Sequence, residues 1–196
     1  IEAIPAPGFR FERWAGLDGG AKTILKFTGD TTITAHFSPD SSTKISGTLL
    51  SDLTLKPENS PYIINEDLLI PTGTTLSVEP GVTLQFQSGV NLRVFGTLRV
   101  EGSNEAKVVF KGYDGVTWGG LSFEKTTTPS ILNHLILRNA SRGKRPLIYP
   151  SAISGLDAEV EMNFIDLGES RGPLFFQGGN IILRDSLIAI PLSGDG

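Results

Sequence analysis

Thr75-Leu76-Ser77-Val78-Glu79 recurs 22 residues later as Thr97-Leu98-Arg99-Val100-Glu101. Between the two copies, Val82-x-Leu84-x-Phe86 and Leu92-x-Val94 alternate apolar and polar residues. Alternation at period 2 is typical of a half-buried β-strand, because successive side chains point to opposite faces. Short strands that repeat every roughly 20–25 residues, with glycine turns between them, indicate the coils of a parallel β-solenoid.

The shared alternation also predicts which side chains form the core. We expect Ser77, Gln85, Arg93 and Arg99 to face solvent, because a shift of one residue would bury both arginines without partners. The apolar residues between them should point inward and stack from coil to coil. These predicted core residues are Val78, Leu84, Phe86, Leu92, Val94, Leu98 and Val100.

Composition excludes several classes of protein. The chain has 196 residues, of which 39% are hydrophobic and 19% charged, as in an ordinary globular protein. It contains no cysteine, which excludes disulfides, thiol catalysis and cysteine metal sites. The net charge of −4 argues against a nucleic-acid partner. No run approaches the roughly 20 apolar residues of a membrane span.

The two ends predict a segment of a longer protein. Ile1-Glu2-Ala3 lacks an initiator methionine, and residues 192–196 follow directly on an apolar strand pattern. Residues 1–8 carry neither the basic start nor the apolar core of a signal peptide. We therefore expect neighbouring domains of the same chain as the first partners of this segment.

Residues 1–38 differ in pattern from the rest and predict a separate small module. Three alternating runs, Phe9–Trp14, Ile24–Phe27 and Thr32–Phe37, with a turn at Gly29-Asp30, indicate an antiparallel meander. Fewer than about 40 residues bury too little surface to be stable alone. We expect this module to dock on the next domain, or to be half of a larger module.

Glycine, aromatic and turn residues in this module carry a resemblance to a known family. They are Gly8, Phe9, Phe11, Trp14, Gly16, Gly29, Asp30, Thr31, Ile33, Ala35 and Phe37. The segment resembles the closing half of the divergent internalin-type B-repeat, a β-grasp-like module of bacterial surface proteins. The resemblance implies extracellular or cell-surface display and a spacing or presenting role without enzymatic activity.

Residues 39–60 predict a linker and lead-in around one strand, Gly47–Leu55, which would cap the first coil. Residues 61–196 predict the solenoid itself, cut at its C-terminus. Beyond Gly112 the apolar runs are spaced unevenly, at about 22 to 31 residues per coil, so loops of unequal length should leave the coils there.

A second resemblance rests on five motifs of the solenoid. They are Ser60-Pro61-Tyr62, Thr75–Leu84, Gly96-Thr97-Leu98, Trp118-Gly119-Gly120-Leu121-x-Phe123 and Ala152-Ile153-Ser154-Gly155. This region resembles the right-handed parallel β-helix of modular bacterial surface proteins that also carry lamin-tail-like and CotH-kinase-like domains. The resemblance implies an all-β, right-handed parallel β-helix. No segment resembles the kinase-like domain, so its activity is not implied.

The sequence offers one candidate ligand-binding segment. Arg138, Arg142, Lys144 and Arg145 form a basic cluster in a loop that contains Gly143 and Pro146. Such a loop either contacts an anionic glycan or wall polymer, or is simply solvated. Tyr149, next to Pro150, is the aromatic residue best placed for exposure to a sugar.

An enzymatic site is the alternative. Lyases built on β-helices combine outward carboxylates that hold calcium with a basic residue on a neighbouring coil. The nearest set here is Asp114, Glu124, Arg138, Asp157, Glu159 and Asp166. Only Asp157 and Glu159 have the close spacing that a metal-binding face prefers, and the residues are equally explained as solvated outward positions. We predict no catalytic residue, metal or cofactor.

These observations favour a non-enzymatic extracellular or cell-surface segment that acts as a rigid stalk, adhesive or presentation platform. The alternative is a carbohydrate-binding or polysaccharide-degrading, lyase-like β-helix. His134 is expected to be a surface or ladder residue rather than a catalyst, and Trp118 to pack inside a turn. The expected partners are neighbouring domains and cell-wall or other polysaccharide. Open strand edges at the ends of a solenoid also permit edge-to-edge self-association.

Overall fold

In the described part of the chain, the secondary structure is β-strand apart from two short 3₁₀ turns. The computed structural model describes residues 1–5, 9–16, 19–24, 26, 29–39, 44–140, 151–170 and 172–189. Short 3₁₀ turns lie at Pro57–Asn59 and Tyr113–Gly115. The strands are β1 (Phe9–Trp14), β2 (Ala35–Pro39), β3 (Lys44–Thr48), β4 (Leu53–Leu55), β5 (Tyr62–Ile70), β6 (Thr75–Val78), β7 (Thr83–Phe86), β8 (Asn91–Val94), β9 (Thr97–Glu101), β10 (Val108–Gly112), β11 (Gly120–Glu124), β12 (Ser130–Asn133), β13 (Leu135–Arg138), β14 (Ile153–Asn163), β15 (Asp166–Gly168), β16 (Leu174–Arg184) and β17 (Leu187–Ile188).

From β3 onward, the strands stack in parallel on three faces, as the sequence predicts for a solenoid. Face A contains the first half of β5, then β7, β10, β13, β15 and β17. Face B contains the second half of β5, then β8, β11 and the first halves of β14 and β16. Face C contains β4, β6, β9, β12 and the second halves of β14 and β16. The predicted all-β parallel solenoid is confirmed.

The register explains both the regular and the irregular parts of the repeat. Leu76 lies beside Leu98 in the parallel pair of β6 and β9, so the two sequence copies occupy adjacent coils. The next coils are longer, because Val100 lies beside Leu132 and Leu132 beside Met162. Where the extra residues are described, they lie between the strands, and the longer coils match the uneven spacing predicted beyond Gly112.

The core is a continuous column of aliphatic and aromatic side chains inside the coils. All seven predicted core residues are 0% exposed. Burying one such side chain contributes about 1.5–3 kcal/mol. Trp118 is also 0% exposed, and its ring stacks on Phe86 with centroids 4.0 Å apart. Its indole Nε1 donates a hydrogen bond to the Arg138 carbonyl over 2.7 Å, so Trp118 packs inside a turn as predicted.

The N-terminal module differs from its predicted three-strand meander. β1 pairs directly with β2 in antiparallel orientation, with Phe11 beside Phe37. Ile24 and Lys26 lie outside any strand, whereas Leu25 and Phe27 are outside the described residues. The prediction of a strand at residues 24–27 is therefore wrong where it can be checked. Instead, the chain start pairs with residues 21–23 through an isolated antiparallel bridge.

The parallel stack begins within the segment that the sequence assigns to a linker and lead-in. β3 pairs with both halves of β5, and β4 pairs with β6, so residues 44–55 form the first coil. The buried core of the solenoid starts at Ile45, and no described residue before it joins that core. Docking of the N-terminal module on the solenoid therefore stays a prediction.

Candidate functional site

Arg138 is the residue of the predicted basic loop that lies in the described part of the chain. Its guanidinium donates to the Asp166 carboxylate over 2.8 Å and to the carbonyls of Leu137 and Asp166 over 3.0 and 2.7 Å. These contacts join β13 to β15 on face A, so Arg138 connects two coils. Arg142, Lys144, Arg145 and Tyr149 lie outside the described residues, and their predicted role as a ligand-binding loop stays a prediction.

The carboxylates predicted for an enzymatic site are dispersed over the coils. Glu124, 8% exposed, lies on face B, where Arg93 Nη2 contacts its two oxygens at 2.8 and 3.0 Å. Asp166 lies on face A beside Arg138. Within the described ranges, no group of three or more histidines and carboxylates is arranged to hold a metal ion. Apart from the Arg138–Asp166 pair, the predicted set does not converge.

A different group of side chains does converge, at the turn from face C to face A. Asn133 ends β12, Asn163 ends β14, and the two residues lie side by side in the parallel register. The next residue of each coil, His134 or Phe164, has a left-handed backbone with φ of 48° and 56°. This conformation turns the chain sharply in the same way on both coils. The two rings are therefore placed one above the other, 4.4 Å apart and within 4° of parallel.

Polar side chains next to these rings in the chain, and on the following coil, form a hydrogen-bond network of their own. Asn163 Nδ2 donates to Asn133 Oδ1 over 3.0 Å and to Glu161 Oε1 over 3.3 Å. Arg184 Nη1 pairs with Glu161 and donates to Asn163 Oδ1 over 3.4 Å. We call Asn133, His134, Glu161, Asn163, Phe164 and Arg184 the corner cluster.

The network fixes the charge state of its carboxylate. Hydrogen bonds from the Asn163 amide, and then from Arg184, hold the pKa of Glu161 below its ordinary value. Both donors stabilise the ionised form, which outweighs the opposing effect of partial burial. Glu161 is therefore an anion at neutral pH, and it faces the cationic Arg184.

Part of this cluster was accessible from the sequence. Asparagine is common at such corners because it tolerates left-handed bends, and Asn133 and Asn163 stack through their hydrogen bond on two successive coils. His134 was expected to be a surface or ladder residue, and its contact with Phe164 shows that it is a ladder residue. Phe164 was not singled out, although Asn133-His134-Leu135 and Asn163-Phe164-Ile165 share one pattern of amide, ring and aliphatic residue.

The N-terminal module matches a known protein family. Residues 1–41 match the family model of the divergent InlB B-repeat domain, which confirms the resemblance found in their sequence. Domains of this family occur in surface proteins of bacteria. The match ends before the first coil of the solenoid.

One curated protein shares a longer stretch. "Protein bark beetle" of Drosophila melanogaster is 32% identical over 108 residues, which cover 50% of this chain and 4% of that protein. The chain thus spans a small fraction of the length of this relative. No solved structure matches the chain. Among the described residues, no helix is long and apolar enough to cross a bilayer.

Proposed function

We propose that this chain is a non-enzymatic segment of an extracellular or cell-surface protein, and that its solenoid is a rigid stalk or presentation platform. The observation that carries the proposal is the unbroken core column, which runs from Ile45 to Leu167 through successive coils. Since neighbouring coils share hydrogen bonds on three faces, bending the solenoid would break pairs on at least one face.

The outward charges support a structural role. Arg93 and Glu124 join β8 to β11, and Arg138 and Asp166 join β13 to β15. Each of these pairs ties a coil to the next one. These two ion pairs therefore support cohesion of the stack as the role of the four side chains.

The match to the B-repeat model supports display at a cell surface. Modules of this family occur in surface proteins, and here the module directly precedes the solenoid in the chain. A solenoid in such a context is suited to hold a neighbouring domain at a fixed distance.

Rigidity can be measured directly, because the chain has no cysteine and accepts spin labels at chosen positions. Thr54 and Leu187 are both exposed and lie on the first and last described coils. In the double variant Thr54→Cys/Leu187→Cys, electron–electron dipolar spectroscopy should give one narrow distance distribution. A broad or multimodal distribution would exclude a rigid stalk.

The absence of enzymatic activity has its own test. The intact chain is incubated with neutral and acidic polysaccharides, with and without Ca²⁺, and the products are sized. We expect no shortening of any polymer. Shorter products that disappear in Glu161→Gln or Glu124→Gln would establish the enzymatic alternative instead.

The second candidate function is carbohydrate binding, and the corner cluster is the observation that favours it. Phe164 is 49% exposed and directly follows Asn163, whose side-chain amide is hydrogen-bonded to Glu161 and Arg184. Exposed rings next to hydrogen-bonding groups are suited to sugars, which have an apolar face and a polar edge. A platform and a glycan-binding surface are compatible in one solenoid.

A further inference from the structure

We propose that the corner cluster binds a neutral polysaccharide, with Phe164 as the stacking surface and Glu161 and Arg184 as the hydroxyl-binding pair. The inference rests on the second candidate function and gives it a site and a ligand class. It does not depend on the rigidity of the solenoid.

The aromatic half of the site is about half exposed to solvent. Phe164 has His134 against one face of its ring, and its residual exposure of 49% leaves room for a second contact. The next coil carries Asp185 at the equivalent corner, since Asn163 lies beside Arg184 in the register. On the other side of His134, the equivalent corner is Gly102, because Glu101 lies beside Asn133. The aromatic stack is thus two rings long and ends at Phe164.

The polar half of the site offers both donors and acceptors. Asn163 uses its amide within the network, whereas Asn133 Nδ2, Glu161 Oε2 and Arg184 Nη2 make no hydrogen bond with the described part of the chain. A sugar hydroxyl both donates and accepts. Two neighbouring hydroxyls can therefore donate to Glu161 and accept from Arg184 or Asn133.

The charge of the cluster selects among glycans. Glu161 and Arg184 neutralise each other, the two asparagines carry no charge, and Asp185 at the next corner adds a negative charge. An acidic polysaccharide would place its carboxylates next to Glu161, which is repulsive, and would have to compete for Arg184. A neutral chain has no such penalty, so we infer a neutral glycan at this corner.

Binding is tested by calorimetric titration of the intact chain with soluble neutral glucans and mannans, and with polygalacturonate as the acidic comparison. We expect weak binding to at least one neutral polymer, with Kd on the order of 1 mM per site, and weaker binding to the acidic one. Phe164→Asn should lower the affinity about tenfold. Asparagine tolerates the left-handed backbone at this position, so the variant removes the ring without straining the turn.

The matched control is Phe175→Asn, which removes a phenylalanine that is 42% exposed on face B. This variant should bind as the wild type does. Glu161→Gln keeps the shape of the side chain and should weaken binding several-fold, and circular dichroism melts of all variants report folding. Equal losses at Phe164 and Phe175, a preference for the acidic polymer, or no binding to any neutral polymer would overturn the proposal. None of these results would alter the spin-label distances that test the stalk.

Discussion

Arg99 and Val100 are neighbours in β9, yet their side chains have opposite environments. Val100 is 0% exposed, whereas Arg99 is exposed on the outer surface of face C. The difference follows from the alternation of the pleat, and it recurs at Ser77 and Val78 on the adjacent coil. The solenoid is thus specified residue by residue, through the choice of which position in each pair is apolar.

Substituting one inward and one outward residue of β9 should reveal this difference in burial. Val100→Asp would bury a carboxylate without a partner between Val78 and Leu132, and should cost about 4 kcal/mol or more in free energy of unfolding. Arg99→Ala should change stability by less than about 0.5 kcal/mol. Chemical denaturation of the two variants checks this. Equal losses would show that the register of β9 is wrong.

At the residue level, the sequence predicts the interior well and the turns less well. The inward residues follow from period 2, which no alternative register satisfies without burying arginine. Gly96 is a different case, because a Cβ there would collide with the carbonyls of Pro71 and Thr74 on the preceding coil. Glycine is required at this position because of a contact between coils. That contact cannot be predicted from composition or periodicity.

At the level of strands, ion pairs connect neighbouring coils on the outer faces. Arg93 and Glu124 are the most enclosed example, with side-chain exposures of 34% and 10%, and Ser122 Oγ donates to the same carboxylate over 3.2 Å. Arg93 also lies over the ring of Phe95, 5.4 Å from its centroid. The pair ties β8 to β11 where the intervening coil is long.

Removing Arg93 should destabilise the solenoid more than removing Arg138. Arg93→Met leaves the enclosed Glu124 carboxylate without its cationic partner, at a cost of about 3 kcal/mol. In Arg138→Met, the Asp166 side chain is already 34% exposed and regains water, so we expect about 1 kcal/mol. Adding Glu124→Gln to Arg93→Met should recover part of the loss. Thermal unfolding in low salt measures all three, and a larger loss at Arg138 would contradict this assignment.

The strands were predictable from the sequence, but the contacts between coils were not. Residues 135–137 and 187–188 are short apolar runs in the sequence, and both lie in strands. The pairing of His134 with Phe164 depends on how many residues each coil contains, which varies from coil to coil beyond Gly112. Alternation predicts whether a side chain points inward or outward. It does not predict which residue of the next coil stacks on that side chain. The corner cluster could therefore be identified only from the strand register of the structure.

For the molecule as a whole, the first coil closes one end of the core. Ile45, Leu49 and Leu55 are only 4%, 1% and 1% exposed, although they belong to the first coil of the parallel stack. Below them, β5 and β6 contribute Ile64 and Leu76, which are 0% exposed. β3 and β4 also pair with the strand edges of β5 and β6, so the first coil protects both the apolar column and the backbone hydrogen-bonding groups.

Truncation separates the contribution of the first coil from that of the N-terminal module. A chain of residues 44–196 keeps β3 and β4 and should remain soluble and monomeric. A chain of residues 61–196 removes both strands, exposes Ile64 and Leu76, and leaves free parallel edges that can pair with other chains. We expect the shorter chain to aggregate in light scattering and size-exclusion chromatography. If it stayed monomeric with an unchanged melting temperature, residues 44–60 would have no capping role, and the stability of the column would have to arise from the later coils alone.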